Sequence, residues 1–173
     1  MPGRGEGLDG PIALALRAAG VEVEGREWGA LAGKRFGEQL ATIREDVLAG
    51  WWHERALLVG HSYGGYLLMH TLAGLPAHPG RVVLFSPVLG VGRSENGMYA
   101  SRPPRAGRLR EMVERGEFPA PRALEIHVGS EDAGCDVGEV ERLTAGIAGA
   151  RCAVVAGAPH RLPASYVTCV MES

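Results

Sequence analysis

Short apolar runs alternate along this chain with segments that repeat apolar residues every three or four positions. The runs predict buried strands of a parallel sheet, and the spaced residues predict amphipathic helices. Predicted strands lie at 21–23, 56–59, 81–86, 123–128 and 152–156, and predicted helices at 11–19, 40–47, 66–73, 140–147 and 166–171. This alternation predicts an α/β fold, a three-layer α/β/α sandwich with a mostly parallel central sheet.

Length and composition narrow the picture further. With 173 residues, 46% of them hydrophobic, the chain suits one globular domain over residues 1–173. A net charge of −2 favours neither nucleic acid nor an anionic membrane as a partner. No apolar stretch is long enough for a membrane span, and no signal peptide is evident. The cysteines are odd in number, which fits reduced thiols in a cytoplasmic protein; they are Cys135, Cys152 and Cys169. No zinc, nucleotide or flavin signature occurs, so we expect no metal and no cofactor.

The most informative motif is Gly60-His61-Ser62-Tyr63-Gly64, between the apolar run 56–59 and the predicted helix 66–73. G-x-S-x-G between a strand and a helix is the context of a nucleophile elbow, a tight turn that exposes the serine Oγ. The helix amino terminus directs free N–H groups towards charge that develops there. The alternative is an ordinary turn with a serine N-cap.

A nucleophilic serine needs a base, and His160 is the favoured candidate among six histidines. It stands in the loop 157–160 directly after a late strand, where an open α/β sheet builds its site. The other histidines suit the role less well. His61 adjoins the serine and points away, His70 lies in a predicted helix, His127 in a predicted strand, and His53 and His78 near predicted surface turns.

The base in turn needs a carboxylate, and the loop 129–136 after the preceding strand offers three. Asp132 is favoured because Gly-x-x-Asp lets the chain turn before it presents the carboxylate. Asp136 could instead cap the next helix, and Glu131 is the weakest candidate. The chain order is then Ser62, Asp132, His160.

Through these motifs nearly the whole chain resembles a small, lid-less serine hydrolase of the α/β-hydrolase superfamily. The glycine-rich stretch 2–7 is similar to the oxyanion loop of that superfamily. The resemblance implies an oxyanion hole formed by the backbone N–H of Tyr63 and one from Arg4 or its neighbour Gly5. Such donors are usually the largest electrostatic contribution to acyl transfer.

The chain departs from this superfamily at its start, where only Met1 and Pro2 precede the glycine-rich turn. A strand needs about five residues, so the strand that carries the oxyanion loop has no room. Two explanations compete. In the first, the sequence begins downstream of the true start or is truncated. In the second, the sheet is rearranged and Val21–Val23 pairs directly with the elbow strand. An unpaired edge could also be covered by a second copy of the chain, which would make a homodimer.

We therefore expect a serine hydrolase that cleaves a small-molecule acyl substrate, an ester or thioester. The alternatives are a catalytically impaired binding module of the same fold and an acyltransferase that uses the same triad. Residues 87–121 lie where the resemblance implies that larger relatives insert a lid, and the segment is short here. It carries six arginines (Arg93, Arg102, Arg105, Arg108, Arg110 and Arg115). They could line a rim for an anionic substrate, but a solvated helix is favoured. Met98, Tyr99 and Leu109 are candidates for an acyl pocket.

Overall fold

The computed structural model describes residues 1–89 and 105–172. In chain order its elements are α1 (Pro11–Ala18), a 3₁₀ turn (Trp28–Ala30), α2 (Phe36–Gly50), β1 (Leu57–His61), α3 (Ser62–Leu72), β2 (Arg81–Phe85), α4 (Ala106–Glu114), β3 (Ala123–Gly129), α5 (Val137–Ala145), β4 (Ala150–Val155) and α6 (Ala164–Glu172). The predicted elements are thereby confirmed with shifts of a few residues at their ends, except the strand at 21–23.

The described strands form one parallel sheet whose spatial order, β1-β2-β3-β4, is also their order along the chain. Each strand pairs with the one before it, and each connection contains a helix. Since all strands run the same way, their carboxyl ends meet at one edge of the sheet. The loops after β1, β3 and β4 therefore open towards a common region.

Helices cover both faces of the sheet. Val83 and Phe85 of β2 pack in one apolar cluster with Ile12 of α1 and Val167 of α6. Val82 and Leu84, which alternate with them, belong to a second cluster. That cluster contains buried side chains of α2, α3, α4 and α5, among them Ile43, Leu67, Leu109 and Val140. Because neighbouring residues of one strand enter opposite clusters, the structure is the predicted three-layer sandwich.

The expected strand at Val21–Val23 is wrong. These residues are extended and alternate half-buried valines with exposed Glu22 and Glu24, yet they belong to no ladder of the described sheet. A cavity of about 760 Å³ has both Val21–Val23 and Leu57 and Val59 of β1 in its lining. The direct pairing of Val21–Val23 with the elbow strand, one of the two explanations considered, is therefore not found. Alternation alone cannot tell a paired strand from an extended segment that packs by its side chains.

Met1 bonds to the outer edge of β1. Its amino group donates to the Val59 carbonyl at 2.6 Å, and its carbonyl accepts from the His61 N–H at 3.0 Å. This is the pattern of a parallel bridge opposite Gly60. A Cβ on Gly64 would collide with the Pro2 carbonyl and stand 2.6 Å from the Met1 carbonyl oxygen. The glycine-rich loop is thus anchored by Met1 and by close packing on the elbow.

Part of the segment considered as a lid replacement is helical. Arg105 precedes α4, Arg108 and Arg110 lie on it, and Arg115 follows it and pairs with Glu117 at 2.9 Å. Arg93, Arg102, Met98 and Tyr99 lie outside the described residues. Leu109 is buried and lines a cavity of about 200 Å³ with Tyr66 and Leu89. Among the residues described, no helix is long and apolar enough to cross a membrane.

Candidate active site

Ser62 occupies a strained turn between β1 and α3. It is the first residue of the helix, is 4% exposed and has φ of 52°, in the left-handed region that side chains with a Cβ avoid. Tight packing around the turn holds this conformation. A Cβ on Gly60 would stand 2.6 Å from Cα of Gly65, so only glycine permits strand and helix to approach this closely.

Ser62, His160 and Asp132 are joined by hydrogen bonds. The Ser62 Oγ lies 2.9 Å from Nε2 of His160, across 98 residues of sequence. The His160 Nδ1 lies 2.8 and 3.0 Å from the two carboxylate oxygens of Asp132. Since an ionised carboxylate only accepts, Nδ1 carries the proton, and Nε2 accepts from the serine hydroxyl. The structure thus brings together the three residues favoured on sequence.

Asp132 is held as a buried carboxylate, and its side chain has no exposed surface. Its Oδ1 also accepts from the Gly134 N–H at 2.6 Å. Burial raises its pKa, but the hydrogen bond and charge of His160, together with Gly134 and the Cys135 thiol, outweigh burial and leave the pKa lowered. The thiol of Cys135 is itself buried, and burial followed by the charge of Asp132 raises its pKa.

The other carboxylates of this loop lie elsewhere. Asp136 caps α5, where its Oδ1 accepts from the Glu139 N–H at 3.1 Å. Glu131 is exposed. The capping role considered for Asp136 is therefore the one the structure gives it, and Asp132 is the carboxylate that bonds His160.

The remaining histidines do not bond to Ser62. His127 bonds through Nδ1 to the Tyr166 hydroxyl at 2.9 Å, and His70 packs against Tyr66 with ring centroids 4.5 Å apart. The expected surface position of His78 is wrong. His78 is buried. Its Nε2 lies 2.9 Å from the Trp51 carbonyl oxygen, and because a carbonyl only accepts, Nε2 carries the proton. Its Nδ1 accepts from the Gly80 N–H. The sequence around His78 predicted a surface turn and gave no indication that the side chain is buried.

The glycine-rich loop lies directly on the elbow. The Glu6 N–H donates to the Gly3 carbonyl at 3.1 Å, and Gly5 has φ of 78°, the pattern of a type II turn. A Cβ on Gly3 would stand 3.2 Å from Cβ of Ser62. The backbone N–H groups of Arg4 and Gly5 have no acceptor among the described residues. Tyr63 is in the first turn of α3, whose N–H groups have no partner within the helix.

The side chain of Arg4 lies over two aromatic rings. Its guanidinium carbon is 4.6 Å from the ring centroid of Tyr63 and 5.5 Å from that of Trp28. Both distances are within the range of a cation–π interaction. Because Tyr63 follows the nucleophile, this contact adds a second tie between the turn and the elbow.

Sequence reasoning missed Glu6 and His61. Oε2 of Glu6 is 2.7 Å from Nδ1 of His61, a contact between residues 55 positions apart. The hydrogen bond from His61, set against burial, lowers the pKa of Glu6 to about 2. No spacing rule links an acid in a glycine-rich turn to the residue before the nucleophile, so the sequence carried no signal of this pair.

A large cavity lies close to this arrangement. The 760 Å³ cavity is lined by Pro2, Glu6 and His61 but by neither Ser62 nor His160, so it lies behind the glycine-rich loop. Within residues 1–89 and 105–172, no three His, Cys, Asp or Glu side chains are grouped as metal ligands. The polar groups that converge at Ser62 are a hydroxyl, an imidazole, a carboxylate and free N–H groups. Together these can activate a nucleophile and stabilise a developing oxyanion.

Solved structures of similar fold are known. A monoacylglycerol lipase from Paleococcus ferrophilus matches 99% of this chain and 91% of its own, with a TM-score of 0.68 and 17% identity. Mouse alpha/beta hydrolase domain-containing protein 10 matches 99% of this chain and 86% of its own, with a TM-score of 0.64 and 14% identity. A predicted CIB-like hydrolase from Thermoplasma acidophilum matches 82% of this chain at a TM-score of 0.56 and 15% identity.

The chain spans 60% of the length of that last protein. No protein-family model matches the chain, and no curated protein matches it either. At these identities the likeness shows the fold, and the chain has the α/β-hydrolase fold.

Proposed function

We propose that this chain of α/β-hydrolase fold is a serine hydrolase that cleaves a small ester or thioester through an acyl-enzyme. The observation that carries the proposal is the continuous hydrogen-bonded line from Ser62 Oγ through His160 to Asp132. A fold alone does not imply an activity, so the proposal rests on these groups and their order. The known hydrolases of the same fold support it at the coarser level of hydrolysis.

In the proposed reaction Ser62 Oγ attacks the substrate carbonyl while Nε2 of His160 takes the hydroxyl proton. The carbonyl π electrons move to the oxygen and form a tetrahedral oxyanion. When that oxyanion collapses, the bond to the leaving group breaks and His160 returns the proton to the leaving alcohol or thiol. A water molecule then attacks the acyl-enzyme by the same steps and releases the acid. Asp132 holds the Nδ1–H tautomer of His160 and stabilises the imidazolium that forms.

The oxyanion would be held by the backbone N–H of Tyr63 and one from Arg4 or Gly5. Two features support this assignment. Gly3 packs against Cβ of Ser62, which brings the turn to the nucleophile, and the N–H groups of Arg4 and Gly5 are not used by other described residues. Loss of one such donor costs about 10²–10³-fold in kcat in other acyl-transfer enzymes.

The test is labelling with a fluorophosphonate, which reacts with an activated serine, followed by intact mass. We expect one adduct on the parent chain, none on Ser62→Ala, and full labelling of the matched control Ser165→Ala on the exposed side of α6. Hydrolysis of short-chain 4-nitrophenyl esters and thioesters should follow the same pattern.

Two results would contradict the proposal. Labelling of folded Ser62→Ala would remove Ser62 from the mechanism, and a folded parent chain that neither labels nor hydrolyses would favour the binding-module alternative. Adding alcohol or amine acceptors distinguishes the acyltransferase, which would yield acylated acceptor in excess of free acid.

A further inference from the structure

The carboxylate of Glu6 connects three segments that meet at the site. Its Oε2 accepts from the Gly3 N–H at 2.9 Å and bonds Nδ1 of His61 at 2.7 Å. Its Oε1 accepts from the Arg161 guanidinium at 3.2 Å. Gly3 begins the glycine-rich turn, His61 directly precedes Ser62, and Arg161 directly follows His160. One side chain thus touches the turn and the neighbours of both the nucleophile and the base.

Two hydrogen bonds between Glu6 and Gly3 hold the ends of the turn together. The Glu6 N–H donates to the Gly3 carbonyl, and the Glu6 side chain accepts from the Gly3 N–H. Arg4 and Gly5 stand between these two ends, so their N–H directions are fixed by the closure. The Gly3 N–H is occupied by this carboxylate. The N–H groups of Arg4 and Gly5 meet no acceptor within residues 1–89 and 105–172, so they can serve a substrate.

The Glu6 carboxylate is ionised and well shielded. Its side chain is 16% exposed, and that of His61 is 4% exposed. The hydrogen bond from His61, the largest influence, lowers the pKa of Glu6 to about 2, so the group is charged throughout the working range of pH. Charge-assisted bonds of this kind are shorter and stronger than neutral ones. The bond to His61 is shielded from solvent, whereas the Arg161 side chain is 61% exposed and its bond to Glu6 is screened.

We infer that Glu6, through His61, Gly3 and Arg161, is a positioning residue that fixes the oxyanion turn against the nucleophile and the base loop. The inference rests on the proposed function, because it concerns how that site is held. The carboxylate acts through these neighbours and not on the substrate. Its contribution should therefore appear in the transition state, where the donors must meet the oxyanion, and much less in substrate binding.

The experiment compares Glu6→Gln, which keeps the shape and removes the charge, with Glu131→Gln, an exposed carboxylate in the Asp132 loop. For a 4-nitrophenyl ester we expect Glu6→Gln to lower kcat about 10–100-fold with KM changed by less than about threefold. Affinity for phenylboronic acid, which adds to the serine as a tetrahedral anion, should fall by a similar factor. Glu131→Gln should match the parent chain in all three quantities.

A folded Glu6→Gln chain whose kcat and boronate affinity stay within twofold of the parent would overturn the inference. So would a rise in KM with kcat unchanged, because that would place Glu6 in substrate binding. If Glu6→Gln does not fold, Glu6→Asp decides: it keeps the charge but is too short to span its partners, and parental kcat in that variant also overturns the inference. A parent chain with no activity refutes the proposed function itself, which makes the two failures distinguishable.

Discussion

Gly134 lies so close to His160 that a Cβ on it would stand 2.7 Å from the imidazole Nδ1 and 3.1 Å from Oδ1 of Asp132. The same glycine donates its N–H to Asp132. Loop backbone therefore fills the space beside the imidazole–carboxylate bond. The site therefore requires a glycine at position 134 as well as the carboxylate of Asp132.

Gly134→Ala should displace the imidazole and lower kcat at least about tenfold, because small misplacements of a reacting group cost large factors in rate. The measurement is ester hydrolysis together with the melting temperature. Gly107→Ala is the matched control, since among the described residues a Cβ there would meet only Oε1 of Glu111, at 3.5 Å. It should leave kcat unchanged and stabilise α4 by about 0.5–1 kcal/mol, as Gly to Ala does within helices. Parental kcat in Gly134→Ala would show that the loop yields without cost.

Asp132→Asn should lower kcat by about 10³–10⁴-fold, because the amide no longer fixes the Nδ1–H tautomer of His160 or stabilises the imidazolium. Asp136→Asn, the same change four residues later, keeps a side-chain acceptor for the α5 cap and should retain parental kcat. Steady-state hydrolysis of one ester by the three proteins is sufficient. Equal losses in the two variants would mean that the loop matters only for its fold.

His70 should make the protein less stable in mild acid. It is 2% exposed, and among the residues that the structure describes neither ring nitrogen has a hydrogen-bond partner. Burial, followed by the charges of Arg108 and Arg105, lowers its pKa from 6.5 to about 4. Between pH 6.5 and about pH 4, His70 is protonated in the unfolded chain but neutral in the folded chain. The free energy of unfolding therefore falls as the pH drops through this range.

His70→Phe, a near-isosteric change, removes this linkage. Between pH 7 and pH 5 the parent chain should lose about 2 kcal/mol more unfolding free energy than this variant. Urea unfolding at the two pH values measures the difference. His53→Gln, at an exposed position, should follow the parent. Equal losses in the parent and His70→Phe would show that the folded and unfolded chains bind the His70 proton equally well, so that burial does not lower its pKa.

The sequence was sufficient to predict the three residues joined at Ser62 because each follows a strand of a parallel sheet. Such loops open at one edge, so a motif after one strand and polar residues after two later strands must converge. The Gly60 and Gly64 pattern then placed the serine, and the Gly-x-x-Asp spacing after the preceding strand favoured Asp132 as the acid. Periodicity and chain direction contain this information without any knowledge of side-chain contacts.

The features that the sequence did not reveal depend on contacts between distant segments. Glu6 and His61 are 55 residues apart and form no spacing pattern. Val21–Val23 alternates apolar and polar residues as a strand does, but the 760 Å³ cavity is lined by this segment and by β1, and no ladder joins them. His78 was expected near a surface turn, yet backbone groups of Trp51 and Gly80 bond both of its nitrogens. Secondary-structure propensity is a property of local sequence, so it does not predict any of these tertiary contacts.

The sheet order has a consequence for how the protein acquires its activity. Strands pair in the order in which they leave the ribosome, so each new strand can dock on an edge already formed. Ser62 follows the first strand of this series and His160 follows the last. A nascent chain could therefore build most of its sheet while its serine remains inert. The hydroxyl becomes reactive only when the final loop docks, so the onset of fluorophosphonate labelling during synthesis or refolding would time the completion of the fold.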